Sequence, residues 1–282
     1  MMSLRRNSRS LFSIVDAGAP PIALEGVLLY AIGDIHGRND LLVELIGMIR
    51  ADIAAQDAPK RATLVFLGDY VDRGPTSNRV LDTIIELQAD PVLEIIALRG
   101  NHDQFMLDFL RDGQKGPTWM GFGGAQTLLA YGVSPPRGRD EEKWDAAAKS
   151  LAEALPDSHR VFLESLPYFA VAGDYVFVHA GVRPDIELRN QRASDVLCIR
   201  DSFLESAQPL ARCTVVFGHT PFESPLVEPG KIGLDTGACV TGILTAICLE
   251  NTRRRFLSTG PRGGVVDAPQ PTDRSMPRPR RL

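Results

Sequence analysis

Short apolar runs that stop abruptly in glycine and charge recur along this chain. Val27 to Ile32 is continuously apolar and halts at Gly33, the pattern of a buried strand. Leu41, Leu42, Leu45, Ile46, Ile49 and Ile53 then fall at helical spacing, with Asn39 placed as the N-cap. A strand at Thr63 to Leu67, a helix near Ser77 to Leu87 and a strand at Leu93 to Leu98 follow. This β-α-β-α-β order predicts parallel strands joined by right-handed crossovers, an α/β arrangement. From Asp103 to about Pro167 the helical period dominates, broken by two loops, which predicts a mostly helical insertion over one end of the sheet.

Strand-like runs return at Tyr175 to Val178, Thr214 to Phe217, Lys231 to Leu234, Gly242 to Leu249 and Arg255 to Leu257. Their late clustering predicts a second sheet packed on the first. Residues 1–24 are expected to be a weakly ordered leader and 25–258 one domain. The Pro-, Gly- and Arg-rich stretch 259–282 is expected to be a disordered tail.

Composition narrows the function classes. Hydrophobic residues are 44% and charged residues 23% of 282, with a net charge of -4, so no electrostatic footprint for nucleic acid exists outside the basic C-terminus. No apolar run approaches the roughly 18 to 20 residues of a membrane span. The apolar core of the basic N-terminus, Leu11 to Val15, is shorter than a secretory segment of roughly 7 to 15 residues. A cytoplasmic protein with neither membrane nor nucleic-acid partner is expected. Cys198, Cys213, Cys239 and Cys248 lack C-x-x-C spacing and are expected as buried free thiols.

Five strand-like runs finish in polar clusters: "LLYAI-GDIHG", "LVFL-GDYVDRG", "EIIAL-RGNHD", "YVFV-HAG" and "TVVF-GHT". Ligands of open α/β sheets collect beyond the carboxyl ends of the strands. Four of the five histidines (His36, His102, His179 and His219) stand in these clusters; His159, in a helical pattern, is a packing or surface residue. Carboxylate, imidazole and amide oxygen together suit divalent cations such as Mn²⁺, Fe or Zn²⁺. Asp34, His36 and Asp69 suffice for one ion and Asn101, His179 and His219 for a second, with Asp69 bridging. Paired ions generate a hydroxide nucleophile and clamp a phosphoryl oxygen. Arg73 can fork onto phosphate oxygens. Asp72 can orient His102 and favour its imidazolium form, so that His102 protonates a leaving oxygen. Each motif alone also reads as a turn, a capped helix start or a local salt bridge; the five in this order do not.

In that order the motifs resemble the metallophosphoesterase superfamily, and within it the phosphoprotein phosphatase family, bacterial type, from about Gly33 to Leu249. The resemblance implies a β-sandwich of two mixed sheets flanked by helices with a dimetal site at its top. It carries the ligand roles onto Asp34, His36, Asp69, Asn101, His179 and His219. The general acid role falls on His102 with Asp72, and phosphate binding on Arg73 and on Arg200 in "VLCIRDSF", where Cys198 replaces an expected Trp. Asp235 in "LDTGA" is a structural neighbour of the site. The choice among substrates is expected to lie in the helical insertion and the loop around Trp119 and Phe122, aromatics that read equally well as packing residues and are not counted in the site.

The implied activity is hydrolysis of phosphoserine, phosphothreonine or phosphotyrosine in a protein or peptide, by in-line attack of a metal-bridging hydroxide. The competitor is a symmetrical diadenosine tetraphosphate hydrolase, against which the aspartate at Asp72 counts. A non-catalytic phosphoprotein-binding module would lack a ligand or the acid, and none is missing.

Overall fold

The computed structural model describes residues 22–23, 26–56, 61–138, 140–207, 210, 213–261, 263–268 and 278–282. Strands β1 (Val27–Ile32), β2 (Arg61–Phe66) and β3 (Leu93–Ala97) are parallel, with helices α1 (Asn39–Ala54) and α2 (Ser77–Leu87) between them. The insertion follows as α3 (Asn101–Arg111), α4 (Gly116–Gly121), α5 (Gly124–Ala130), α6 (Glu141–Ala154) and α7 (Asp157–Ser165). Next in the chain are β4 (Phe169–Ala172), β5 (Tyr175–Val178), α8 (Ala193–Cys198), α9 (Asp201–Leu204) and β6 (Thr214–Phe217). The remainder is β7 (Leu226–Glu228), β8 (Lys231–Gly233), α10 (Ala238–Thr241), β9 (Thr245–Glu250), β10 (Arg253–Ser258) and β11 (Gly264–Asp267).

Two mixed sheets result. One has the order β11-β10-β9-β1-β2-β3 and the other β4-β5-β6-β8-β7. The late strands therefore divide: β4 to β8 build the second sheet, while β9 to β11 extend the first, with β9 antiparallel to β1 and each following strand antiparallel to the one before.

Strand alternation explains why two sheets stack with helices outside them. In β1, Leu29 and Ala31 point into the space between the sheets, where they meet Tyr175, Phe177, Val216, Ile232 and Ile247. Their neighbours Leu28, Tyr30 and Ile32 point the other way, onto Leu42, Leu45 and Ile49 of α1. The insertion seats Phe109, Trp119, Trp144, Leu151 and Phe162 in that same outer core, and Val178, Val215 and Phe217 bury the outer face of the second sheet with Phe203 and Leu204. Successive strand side chains face opposite ways, so continuously apolar strands are covered on both faces.

Several expectations change. Asn39 lies inside α1, and Arg38 takes the N-cap position; the Asn39 amide oxygen instead accepts from the Thr83 hydroxyl on α2. Of the expected leader only Ile22 and Ala23 are described. Ala23 is buried in the inter-sheet core and its N–H donates to the Asn251 carbonyl. The expected tail contributes β11, paired with β10, and Arg281 bridges to Phe222 while its guanidinium meets Asp201. All four cysteines are free, but only Cys248 is buried. His159 is a packing residue held between the Tyr131 hydroxyl at 2.8 Å and Asp82 at 2.9 Å. Among the described residues no helix is long and apolar enough to cross a membrane.

Candidate metal centre

All five clusters meet at one end of the sandwich, because β1, β2, β3, β5 and β6 present their carboxyl ends there. The backbone bends sharply to turn side chains inward. Among the described residues seven non-glycine positions have positive φ, and five belong to these clusters: His36, Asp69, Asp72, Arg73 and His219, at φ 46 to 74°. Left-handed backbone in residues with a Cβ is costly and collects at functional sites. Gly100 is required for a different reason: a Cβ there would stand 2.1 Å from Asp69 Oδ1, so only glycine lets the loop after β3 pass against the Asp69 carboxylate.

Asp69 is the hub. Its Oδ2 lies 3.5 Å from His36 Nε2 and its Oδ1 lies 3.4 Å from His179 Nε2, so the two carboxylate oxygens face two different imidazoles. His36 Nδ1 donates to the Val71 carbonyl at 2.9 Å and His179 Nδ1 to the Leu67 carbonyl at 2.9 Å. A carbonyl can only accept, so each Nδ1 carries the proton and each Nε2 turns a lone pair toward Asp69. Second-nitrogen bonds of this kind orient metal-ligating histidines. Burial drives the His36 pKa down to about 3 and lowers that of His179, which keeps both rings neutral.

The other expected ligands close around this pair. Asn101 Oδ1 lies 2.9 Å from His179 Nε2. Asp34 accepts the His219 backbone N–H at 2.9 Å, and His219 Nε2 accepts from Arg200 Nε at 3.1 Å. Burial first, then the carboxylates of Asp235 and Asp69, pushes the Asp34 carboxyl well above its ordinary range. Asp235, its pKa raised to about 6 chiefly by burial, lies close to Asp34 and accepts the Gly237 N–H at 2.9 Å. Lone pairs opposed to carboxylate oxygens, with buried carboxylates alongside, are a donor set that a divalent cation satisfies. The residues fit divalent metal. Two groupings converge, His36 with Asp69 and His102, and Asp69 with His179 and His219.

His102 stands in the first grouping, yet its geometry differs from that of His36. Its Nδ1 bonds the Asp72 carboxylate at 2.7 Å and its Nε2 accepts from Arg73 at 3.1 Å, while Asp69 Oδ2 is 3.9 Å away. Although burial opposes it, the carboxylates of Asp69 and Asp72 raise the His102 pKa. Arg73 and Arg200 are exposed at the mouth, each bonded to an imidazole.

Three supporting residues escaped the sequence reading. Trp119 Nε1 donates to Asp72 Oδ2 at 2.8 Å, and the Thr127 hydroxyl donates to Asp72 Oδ1 at 2.7 Å. Asp72 is therefore not paired with Arg73, and Trp119 is more than packing. Asp103 accepts the backbone N–H groups of Asp69, Tyr70 and Gly100 at 2.9, 3.0 and 2.8 Å. Its place directly after "GNH" was the available signal, and it allowed a simple helix cap equally well.

The chain is similar to known proteins. A bis(5'-nucleosyl)-tetraphosphatase [asymmetrical] of Anoxybacillus flavithermus is 27% identical over 235 residues, spanning 77% of this chain and 88% of that protein. The protein of the same name from Bacillus subtilis is 27% identical over 228 residues, with 75% and 86% covered. Among solved structures, a candidate diadenosine tetraphosphatase superposes with a TM-score of 0.56 at 21% identity, covering 89% of this chain and 98% of that one. A cold-active protein-tyrosine phosphatase of a psychrophilic Shewanella follows at 0.54 and 16%, with 83% and 80% covered; at these identities both superpositions speak for the fold alone. The calcineurin-like phosphoesterase model matches residues 28–242, a span that contains every cluster of the site, and the chain belongs to that family.

Proposed function

We propose that this phosphoesterase hydrolyses bis(5'-nucleosyl) tetraphosphates asymmetrically, releasing a nucleoside triphosphate and a nucleoside monophosphate. The observation that carries hydrolysis is the Asp69 carboxylate set between two Nε2 lone pairs. The tetraphosphate substrate is favoured by the relatives of that name, which align over three quarters of the chain. They support the dinucleotide class over the phosphoprotein expected from the motif order, and asymmetrical over symmetrical cleavage.

Asp34, His36 and Asp69 would hold one divalent cation and Asn101, His179 and His219 a second, with Asp69 shared; Mn²⁺, Fe and Zn²⁺ all accept this donor set. Bound there, the pair supplies Lewis acidity and a nucleophile drawn from water at neutral pH. Arg73 and Arg200 swing from their imidazole contacts onto phosphate oxygens and stabilise the charge that develops in line. With Arg73 gone from Nε2, His102 turns that nitrogen to the leaving oxygen, while Asp72 holds Nδ1–H and favours the charged ring.

One observation favours a second reading, phosphomonoester hydrolysis as in protein phosphatases. A nucleoside triphosphate leaves without much help, whereas an alkoxide or phenoxide needs a proton. The His102–Asp72 pair, braced by Trp119 and Thr127, is equipped to give one. The test is an assay of metal-stripped protein reconstituted with Mn²⁺, Fe or Zn²⁺, offering diadenosine tetraphosphate beside phosphoserine, phosphothreonine and phosphotyrosine peptides. AMP and ATP in equal amounts support the proposal. Two ADP would establish symmetrical cleavage, and a kcat/KM for any phosphopeptide far above that for the dinucleotide would overturn the substrate assignment.

A further inference from the structure

Phe122 keeps 45% of its surface exposed, and it does so beside the reacting groups. It follows α4 directly, next to Gly123, whose φ is +104°. The Gly123 carbonyl accepts the Arg73 N–H at 3.1 Å, and a Cβ on Gly123 would meet Arg73 Cγ at 2.9 Å. The Phe122 loop thus rests on the backbone of Arg73. One face of its ring lies on Phe105, with centroids 4.9 Å apart and an interplanar angle of 11°. Phe105 stands three residues after His102 on α3, on the same helix face. The Phe122 ring is edge-on to His102, with centroids 6.2 Å apart. A backed aromatic plane is therefore fixed next to both Arg73 and His102.

An apolar plane in this place has a natural occupant. When asymmetrical cleavage proceeds by attack at the α-phosphorus, with the nucleoside triphosphate as leaving group, the attacked phosphorus carries a nucleoside whose flat base lies one ribose away. Base–aromatic stacking tolerates any base, because every base has a π face. We propose that Phe122, backed by Phe105, is a stacking shelf for the nucleobase of the nucleotide whose phosphate occupies the metal centre. The assignment rests on the dinucleotide reading and adds the residue that makes the site prefer nucleotides to base-free phosphate esters. It also implies little discrimination between adenine and guanine.

The test compares adenosine 5'-monophosphate with ribose 5-phosphate as competitive inhibitors of p-nitrophenyl phosphate hydrolysis by manganese-loaded protein. It is paired with saturation-transfer NMR from the protein to the adenine H2 and H8 protons. In the wild type the nucleotide should bind roughly tenfold tighter than the sugar phosphate, within the range stacking supplies. Phe122→Ala should bring that ratio to about twofold or less and abolish the transfer, while Phe122→Trp should keep both. A ratio near one in the wild type, or one that survives Phe122→Ala, would overturn the shelf. So would a Phe122→Ala protein that loses preference for phosphotyrosine over phosphoserine peptides with its nucleotide ratio intact, since the ring would then serve an aryl ester. A wild type that shows the ratio yet leaves diadenosine tetraphosphate uncut would sustain the shelf and defeat the tetraphosphate substrate instead.

Discussion

Asp103→Asn isolates the tie that holds the loops after β2 and β3 together. The Asp103 side chain is fully buried, and its Oδ2 accepts from Asp69 N at 2.9 Å and Gly100 N at 2.8 Å while Oδ1 accepts from Tyr70 N at 3.0 Å. An amide keeps one oxygen. In its better orientation it retains two acceptances and turns its NH₂ toward the third N–H. Losing one bond to a charged acceptor costs about 1.5–3 kcal/mol, and the two that remain weaken because the oxygen is now neutral. Burial, then the Asp69 carboxylate, raises the Asp103 pKa to about 7, so removing the charge returns part of that cost. The net expectation is a loss of about 2–4 kcal/mol. Because Asp69 N is held by one of the two weakened bonds and its neighbour Tyr70 N loses the third, affinity for Mn²⁺ should fall about 10- to 100-fold. Urea unfolding of the manganese-loaded protein reads the first quantity and calorimetric titration with Mn²⁺ the second. A variant within about 0.5 kcal/mol and twofold of wild type would refute the reasoning, since Asp69 would then be placed by something other than Asp103.

Further expectations concern the acid and the outer fold. His102→Asn should lower turnover of an aryl phosphate with a poor leaving group about 10²-fold while metal content by atomic spectrometry stays near wild type; unchanged turnover would remove His102 from the mechanism. Trp119→Phe keeps an aromatic ring near Phe109 but deletes the donor to Asp72. The pH–rate limb assigned to His102 should therefore move upward, because a less satisfied Asp72 carboxylate holds the imidazolium proton harder; a limb that does not move would make the indole only a packing group. Asp52, bonded by Arg255 and by the Tyr30 hydroxyl, has its carboxyl held below the ordinary value despite burial. The stability it contributes is complete above that ordinary value and is lost as pH falls through the depressed one. The difference in unfolding free energy between wild type and Asp52→Asn should accordingly be flat near neutrality and shrink below about pH 4, and a difference that grows on acidification would reverse the assignment.

What could be read from the chain beforehand follows from how far apart the interacting groups are. Strand ends announce themselves locally, because an apolar run, a glycine and a ligand are consecutive, as in "VFLGD" and "VVFGH". The six expected ligands consequently assemble as a set. Support for Asp72 did not show, since Trp119 and Thr127 lie 47 and 55 residues further along and are joined to it only by the packing of α4 and α5. The split of the late strands was hidden for a similar reason: β9 is as apolar as β8, and nothing local says that one pairs with β1 and the other with β6. Strand β11 is four residues, Gly264–Asp267, inside a Pro- and Gly-rich stretch whose average composition outweighs it. Substrate choice was the least legible. The loop around Trp119 and Phe122 could be pointed to, but an aromatic in a glycine-rich loop carries no periodicity that says what its ring faces.

Five left-handed residues ring the centre, and each is a place where the local chain would be more relaxed as glycine by about 1 kcal/mol or more. Directed evolution for heat resistance alone would therefore be drawn toward glycine at positions 36, 69, 72, 73 and 219. It would harvest hardy, inert proteins unless every round also scored turnover.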